Sequence, residues 1–252
     1  MTNTDADDYI GSARTMSSSA AAGTAAPSIR LLKRQLRRQM SSTLASVAPA
    51  SLAAQSAQVA ARILASPTYT RAQRVCVYVN TDTSEVRTDD ICRSVLLQQK
   101  ELYVPRFATE AGVKGAFEND MKMLRIRDWA DFEIMVRNRW GIREPEIDGR
   151  QDALDESTGG QGLDLILAPG VAFDVQGGRL GHGKGYYDRY LARADAFARE
   201  TGAQLPTSVA LSLEEQILPP DQRVPADEDD RTLDAIVHPG GVFHTTRRWQ
   251  EG

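Results

Sequence analysis

Short apolar, β-branched runs alternate with helical stretches along most of this chain, and that alternation limits its fold more than any other feature. The run Val75–Val79 is followed by a helical pattern over Thr88–Gln98, then by strand-like runs at Leu102–Pro105 and Met121–Ile126. A polar, glycine-containing connection from Glu146 to Gly162 reads as a surface loop. Beyond it come the run Leu163–Ala168, a helical stretch Tyr186–Arg199, and the runs Ser208–Leu211 and Leu233–Val237. Such alternation needs crossover connections and predicts a mostly parallel sheet covered by helices on both faces. Ligands in such sheets sit beyond the carboxyl ends of strands. The segments after Val79 and after Leu163–Phe173 are therefore where chemistry is expected.

The flanks carry different signals. Residues 1–27 are rich in Ser, Ala, Thr and Gly and bury too little apolar surface to fold, which predicts a disordered tail. Residues 28–240 read as a single domain and residues 241–252 as a C-terminal tail. From Ile29, apolar residues recur at helical spacing (Ile29, Leu32, Leu36, Met40) beside Lys33, Arg34, Arg37 and Arg38. Lys33 and Arg37, four apart, share a helix face. A second, Ala-rich helix is expected over Ser51–Leu64, ending at Ser66-Pro67.

The net charge of −4 conceals an asymmetry: nine Lys or Arg and no acid lie between Asp8 and Asp82. A cationic N-terminal unit on an acidic body suits nucleic acid or a small polyanion, and charge alone does not choose. No apolar run approaches the roughly 20 residues that cross a membrane. Cys76 and Cys92 show neither metal-ligand nor redox spacing, which favours a reducing, cytoplasmic setting. Asp5, Asp7 and Asp8 oppose a transit peptide, although translation from Met16 would remove them and make a mitochondrial address plausible. The chain is expected to act as a monomer.

Gly178-Arg179-Leu180-Gly181-His182-Gly183-Lys184-Gly185-Tyr186-Tyr187-Asp188 is the most informative stretch for function. Exposed backbone N–H groups, adjacent cations and a following helix N-terminus all favour an anion such as phosphate. Gly178 to Lys184 has P-loop spacing, but Gly185 stands where that motif needs a hydroxyl for Mg²⁺. A dinucleotide-binding turn fits less well, because Phe173-Asp174-Val175-Gln176 precedes the glycines and looks like a hairpin tip. An inert glycine turn would not need Arg179, His182 and Lys184. Asp188, one turn into the helix, serves either the helix dipole or, beside phosphate, a Mg²⁺ ion. Asp82-Thr83-Ser84-Glu85 follows a strand; Glu85 would project into the same crevice, or the segment merely starts a helix with Ser84 or Thr88 as cap. Asp227-Glu228-Asp229-Asp230-Arg231 reads, in isolation, as solvated surface.

Asp164-Leu165-Ile166-Leu167-Ala168-Pro169-Gly170, Phe173-Asp174 and the stretch from Arg179 to Asp188 together resemble the signature of 5-formyltetrahydrofolate cyclo-ligases. Lys33-x-x-x-Arg37, Glu85, Pro105-Arg106-Phe107, Trp140-Gly141-Ile142-x-Glu144-Pro145, Glu214-Glu215-Gln216 and Asp230-x-x-x-Asp234 follow in the family's order. The resemblance spans about Ile29 to His238. It implies a three-layer α/β/α fold similar to sugar-phosphate isomerases and CoA transferases. It also implies ATP- and Mg²⁺-dependent conversion of 5-formyltetrahydrofolate, with or without a polyglutamate tail, to 5,10-methenyltetrahydrofolate.

By resemblance, Lys33, Arg37 and the segment Arg179, Leu180, Gly181, His182, Gly183, Lys184, Gly185, Tyr186 and Tyr187 would bind ATP. Arg179, Lys184 and Tyr187 would act on the reacting groups, and Asp188 and Asp230 would hold Mg²⁺. Asn80, Glu85, Trp140, His182 and Tyr187 would meet the folate. Glu85 would accept from pterin N–H donors, and Trp140 or Tyr187 would either stack on the ring or pack in the core. His182 stands where relatives often carry Arg. Two other readings remain at this stage: a non-catalytic folate- or nucleotide-binding protein, and an isomerase- or transferase-like enzyme of the same fold. No nucleic-acid recognition motif accompanies the basic helix.

Overall fold

The computed structural model describes residues 28–81, 83–107 and 120–249. The tail reading of residues 1–27, and Asp82, lie outside the described residues. Helices α1 (Ile29–Ala45), α2 (Pro49–Ala65) and α3 (Pro67–Arg71) precede β1 (Arg74–Val77), α4 (Asp89–Leu97), β2 (Glu101–Phe107) and β3 (Met121–Ile126). Then follow α5 (Trp129–Glu133), β4 (Val136–Arg137), β5 (Arg143–Glu144), β6 (Leu165–Ala168), β7 (Ala172–Phe173) and β8 (Arg179–Leu180). The last elements are α6 (Tyr186–Thr201), β9 (Thr207–Leu211), β10 (Ala235–His238) and β11 (Gly241–His244).

Seven strands form one sheet in the order β11-β10-β9-β6-β1-β2-β3. The five inner strands run parallel, while β3 and β11 run antiparallel at the two edges. The parallel strands are buried on both faces: Val75, Cys76, Val77, Leu165, Ile166, Leu167, Val209, Ala210 and Ile236 are inaccessible to solvent. Helices cover the sheet in a three-layer α/β/α arrangement, with α2 and α4 packed on each other and on the strands. The mostly parallel α/β expectation therefore holds.

Two readings need correction. Within the segment read as a C-terminal tail, residues 241–249 are structured: β11 pairs in register with β10 from Ala235↔His244 to His238↔Gly241, and Trp249 is buried. The strand is half-exposed, so its sequence lacks the apolar run that marks the inner strands. The polar connection 146–162 is also only partly a surface loop. Arg125 N–H donates to Gln151 O and Ala153 N–H to Met123 O at 2.9 Å, so this segment covers the outer edge of β3.

Strand order creates the site. From β1 the chain adds β2 on one side and later β6 on the other, so connections leave the β1 and β6 carboxyl ends in opposite directions. This is the switch point where open α/β sheets leave a crevice. The β7–β8 hairpin follows β6 and is tied by Asp174, whose Oδ1 accepts from Gln176 N and Gly178 N while Oδ2 accepts from Val224 N. Helix α1 lies on this hairpin. Met40 joins Val171, Ala172, Leu180, Leu218 and Val224 in a small apolar cluster, with Leu36 against it. Burying one such side chain contributes about 1.5–3 kcal/mol, and the contact fixes where the α1 cations lie.

A candidate nucleotide and substrate cleft

A single cleft of about 900 Å³ opens at the carboxyl ends of β1, β2 and β6, a volume suited to a small-molecule ligand. Of the residues expected to bind ATP, folate or Mg²⁺, all but Asn80 line it. Asn80 instead braces the chain after β1: its Oδ1 accepts from Thr88 N–H at 3.0 Å and its Nδ2 donates to Thr81 O at 3.0 Å. Thr88 is the N-cap residue of α4, but its hydroxyl donates to Tyr78 O rather than capping the helix.

The glycine loop runs from the β8 strand into α6. Gly183 (φ +93°) and Gly185 (φ +66°, the α6 N-cap) take left-handed backbone conformations that favour glycine. A hydroxyl-bearing residue at 185 would be strained, which explains why the P-loop pattern breaks there. The first N–H groups of α6 have no helical partner, the arrangement that attracts anions. Lys184 is exposed beside them, and its ammonium has no partner among the described residues.

Helix α1 closes the loop from the other side. Arg37 Nε donates to Gly181 O at 2.7 Å, and burial lowers the pKa of this guanidinium. Lys33 Nζ bridges Asp227 Oδ2 at 2.7 Å and Asp230 Oδ2 at 2.5 Å. Burial works against the Lys33 charge, but hydrogen bonds to the two carboxylates outweigh it and hold its pKa above the ordinary value. The Lys33 bond likewise holds the Asp227 carboxyl below its usual range. The run 227–231 is thus not plain solvated surface, since Asp227, Asp229 and Asp230 line the cleft.

Arg179 lines the cleft but is almost wholly buried. Its Nη2 donates to Asp188 Oδ1 at 2.8 Å and its Nη1 to Pro169 O at 3.3 Å. It therefore orients Asp188 and adds positive charge beneath the loop. Asp188 Oδ1 also accepts from Arg231 N–H at 3.2 Å. All these contacts fall on one oxygen of Asp188 and one of Asp230, so each carboxylate keeps an oxygen without a hydrogen bond among the described residues. These are the hard donors Mg²⁺ takes. Among the described residues, no group of three or more His, Cys, Asp or Glu gathers to hold a metal. A cation here would fit only with oxygens from a phosphate ligand completing its shell.

The opposite half of the cleft has different chemistry. Glu85 is 5% exposed; its Oε2 accepts from Thr81 N–H at 2.8 Å and Thr81 Oγ1–H at 3.0 Å. Its Oε1 lies 3.4 Å from His182 Nε2, so the glycine loop touches this wall. The Tyr187 ring is buried, its hydroxyl has no partner among the described residues, and burial pushes its pKa well up. Tyr187 is thus a packed wall rather than a free stacking platform, whereas Trp140 is 42% exposed. Phe107 stands between Trp140 and Tyr186, with ring centroids 6.4 and 5.2 Å away. Sequence reasoning missed Asp227 and gave Phe107 no role. Asp227 is 194 residues from Lys33, and no local pattern announces such a pairing.

Residues 30–239 match the 5-formyltetrahydrofolate cyclo-ligase family. A probable 5-formyltetrahydrofolate cyclo-ligase of Schizosaccharomyces pombe is 34% identical over 215 residues, covering 84% of this chain and 98% of that one. The 5-formyltetrahydrofolate cyclo-ligase of Mus musculus is 32% identical, covering 85% and 97%. Among solved structures, the 5,10-methenyltetrahydrofolate synthetase of Aquifex aeolicus matches with a TM-score of 0.64 at 27% identity, covering 85% of this chain and 93% of that one. With that extent of match over a cleft so assembled, the chain belongs to the 5-formyltetrahydrofolate cyclo-ligase family.

Proposed function

We propose that this enzyme converts 5-formyltetrahydrofolate into 5,10-methenyltetrahydrofolate, consuming ATP in the presence of Mg²⁺ and releasing ADP and phosphate. One observation carries the reading: a single cleft joins a cationic, N–H-rich half to a half built from a buried carboxylate and aromatic rings. The first half suits a triphosphate, the second a flat ring that carries N–H donors.

In this reading Lys33, Arg37, Lys184 and the loop N–H groups bind and orient the triphosphate. Lys33 exchanges its two carboxylates for phosphate oxygens as the nucleotide enters. Glu85 Oε1 accepts from the pterin amino and ring N–H groups, while Trp140 covers the ring. The formyl oxygen, a weak amide-type nucleophile, then attacks the γ-phosphorus, and the bond to ADP breaks. Next the folate N10 attacks the activated formyl carbon and loses its proton. The C–O bond breaks with departure of phosphate, leaving the N5–CH–N10 bridge. Mg²⁺, bound by Asp188 and Asp230 with phosphate oxygens, would supply charge neutralisation on the transferring group. Arg179 holds Asp188 in place for that purpose. Positioning and electrostatics provide most of the rate in phosphoryl transfer, and the residues here are suited to both.

The direct test incubates the protein with 5-formyltetrahydrofolate and Mg²⁺, with and without ATP, and follows the near-ultraviolet absorbance of the methenyl product. ATP-dependent product is the expected result. No product, under conditions where a known cyclo-ligase turns over, overturns the reading.

A further inference from the structure

The apolar wall of the cleft is assembled from three separate elements: Phe107 ends β2, Tyr186 starts α6, and Trp140 sits at the tip of the β4–β5 hairpin. The tip is firmly shaped. Asn138 Oδ1 accepts from Trp140 N–H at 2.9 Å and Ile142 N–H at 3.1 Å, and Gly141 turns with φ +77°. The hairpin itself has little to hold it, because each strand is two residues long and both residues of β4, Val136 and Arg137, are exposed. An isolated pair of this size is not stable alone.

Ile142 packs against the core and Arg143 reaches Asp89 at 4.0 Å, but the buried polar tie from the hairpin to the sheet is Glu144. It is 4% exposed, and its carboxylate accepts from Arg106 Nη1 at 2.8 Å and Phe107 N–H at 3.4 Å. Among the described residues, Arg106 Nε is buried without a partner, and the guanidinium's one ion pair is with Glu144. Neither Glu144 nor Arg106 lines the cleft, yet Glu144 holds the backbone of one aromatic wall residue and the root of the hairpin that carries another.

We infer that Glu144, through Arg106 and the Phe107 N–H, is a positioning residue: it sets the gap between Phe107 and Trp140 and thereby the affinity for the flat folate ring. The triphosphate half, built from α1 and the glycine loop, does not depend on it. This inference rests on the cyclo-ligase reading above.

Glu144→Ala is expected to raise the KM for 5-formyltetrahydrofolate about tenfold or more, as misplaced binding groups do, with the KM for ATP nearly unchanged. Glu144→Gln, which keeps a neutral acceptor, should raise it less. Because the buried pair also contributes to folding, Arg106→Lys serves as a second variant, with thermal melting to confirm the folded state. Quenching of Trp140 fluorescence by 5-formyltetrahydrofolate, assigned through Trp140→Phe, should weaken in parallel. A matched rise in both KM values, or a fall in kcat with both unchanged, overturns the positioning role. Wild-type protein that makes no methenyl product overturns the cyclo-ligase reading instead. The fluorescence titration then still decides: quenching weakened in folded Glu144→Ala or Arg106→Lys supports the positioning role, and unaltered quenching sinks it.

Discussion

The cleft and the groove behind the β4–β5 hairpin are both rich in arginines and acids, but their charges are answered differently. In the groove, the almost fully buried Asp131 takes a two-pronged contact from Arg150, both hydrogen bonds 2.7 Å long. Arg127 adds its backbone N–H at 3.0 Å and its guanidinium at 3.2 Å. Arg150 foremost holds the Asp131 carboxyl far below the usual carboxylate range. Every side chain answering Asp131 lies within 127–150, and Arg150 Nη1 also donates to the nearby Arg125 O at 3.0 Å. In the cleft, Lys33 reaches across 194 and 197 residues to carboxylates that each line the cavity, and Lys184 has no partner among the described residues. A charge cluster satisfied internally holds a structure together. One that leaves cations and carboxylate oxygens facing a cavity is ready for a ligand.

The largest effect is expected at Asp188. Asp188→Asn should lower kcat roughly 10²–10³-fold, the scale of losing one strong electrostatic contact in a transition state. Steady-state assays over a range of Mg²⁺ concentrations check this, and near-normal turnover would move Asp188 into the structural class of Asp131. Asp131→Ala should do the reverse. Leaving the part-buried Arg150 charge unanswered costs up to about 3 kcal/mol of stability, while both KM values stay put in the folded protein. A changed KM would erase the distinction between the two regions.

The sign of the pH dependence at Asp131 follows from its lowered pKa. Its contribution is fully present above the ordinary Asp value of about 3.9 and is lost as pH falls through the folded value. Chemical denaturation at a series of acidic pH values should show the acid limb flattened in Asp131→Asn. A limb identical to wild type would contradict the assignment.

A smaller effect is expected from Lys33→Ala. It should raise the KM for ATP about tenfold, the order of one charge-assisted contact, with little change in melting, because Asp227 is well exposed to solvent. An unchanged KM would return α1 to a simple amphipathic helix. The smallest effect is expected at two fully buried cysteines outside both regions, Cys76 in β1 and Cys92 in α4. Burial pushes the thiols of Cys76 and Cys92 up, so alkylation of the native protein should leave both unmodified, as intact-mass measurement would show.

Much of this was legible in the chain because its cause is local. The glycine loop announces itself, since Gly183 and Gly185 meet a backbone demand that other residues meet badly. The inner strands are equally plain, because burial on both faces requires unbroken apolar runs such as Leu165–Ala168. Strand β11 was missed for the opposite reason: an edge strand half open to solvent needs no such run. Asn80 was placed in the site because it follows a strand end, yet its amide is taken up in shaping the turn before α4.

The sequence by itself determined the sheet-forming segments, the glycine loop and the cationic helix, because each depends on periodicity or backbone conformation within a few residues. Only the tertiary structure decided that Lys33 answers Asp227 and Asp230, that Arg179 serves Asp188, and that Glu144 anchors the Trp140 hairpin. Those pairings depend on strand order and on Leu36 and Met40 packing over the β7–β8 hairpin. Contacts between residues far apart in the chain leave no local pattern, because packing of whole elements sets their distance.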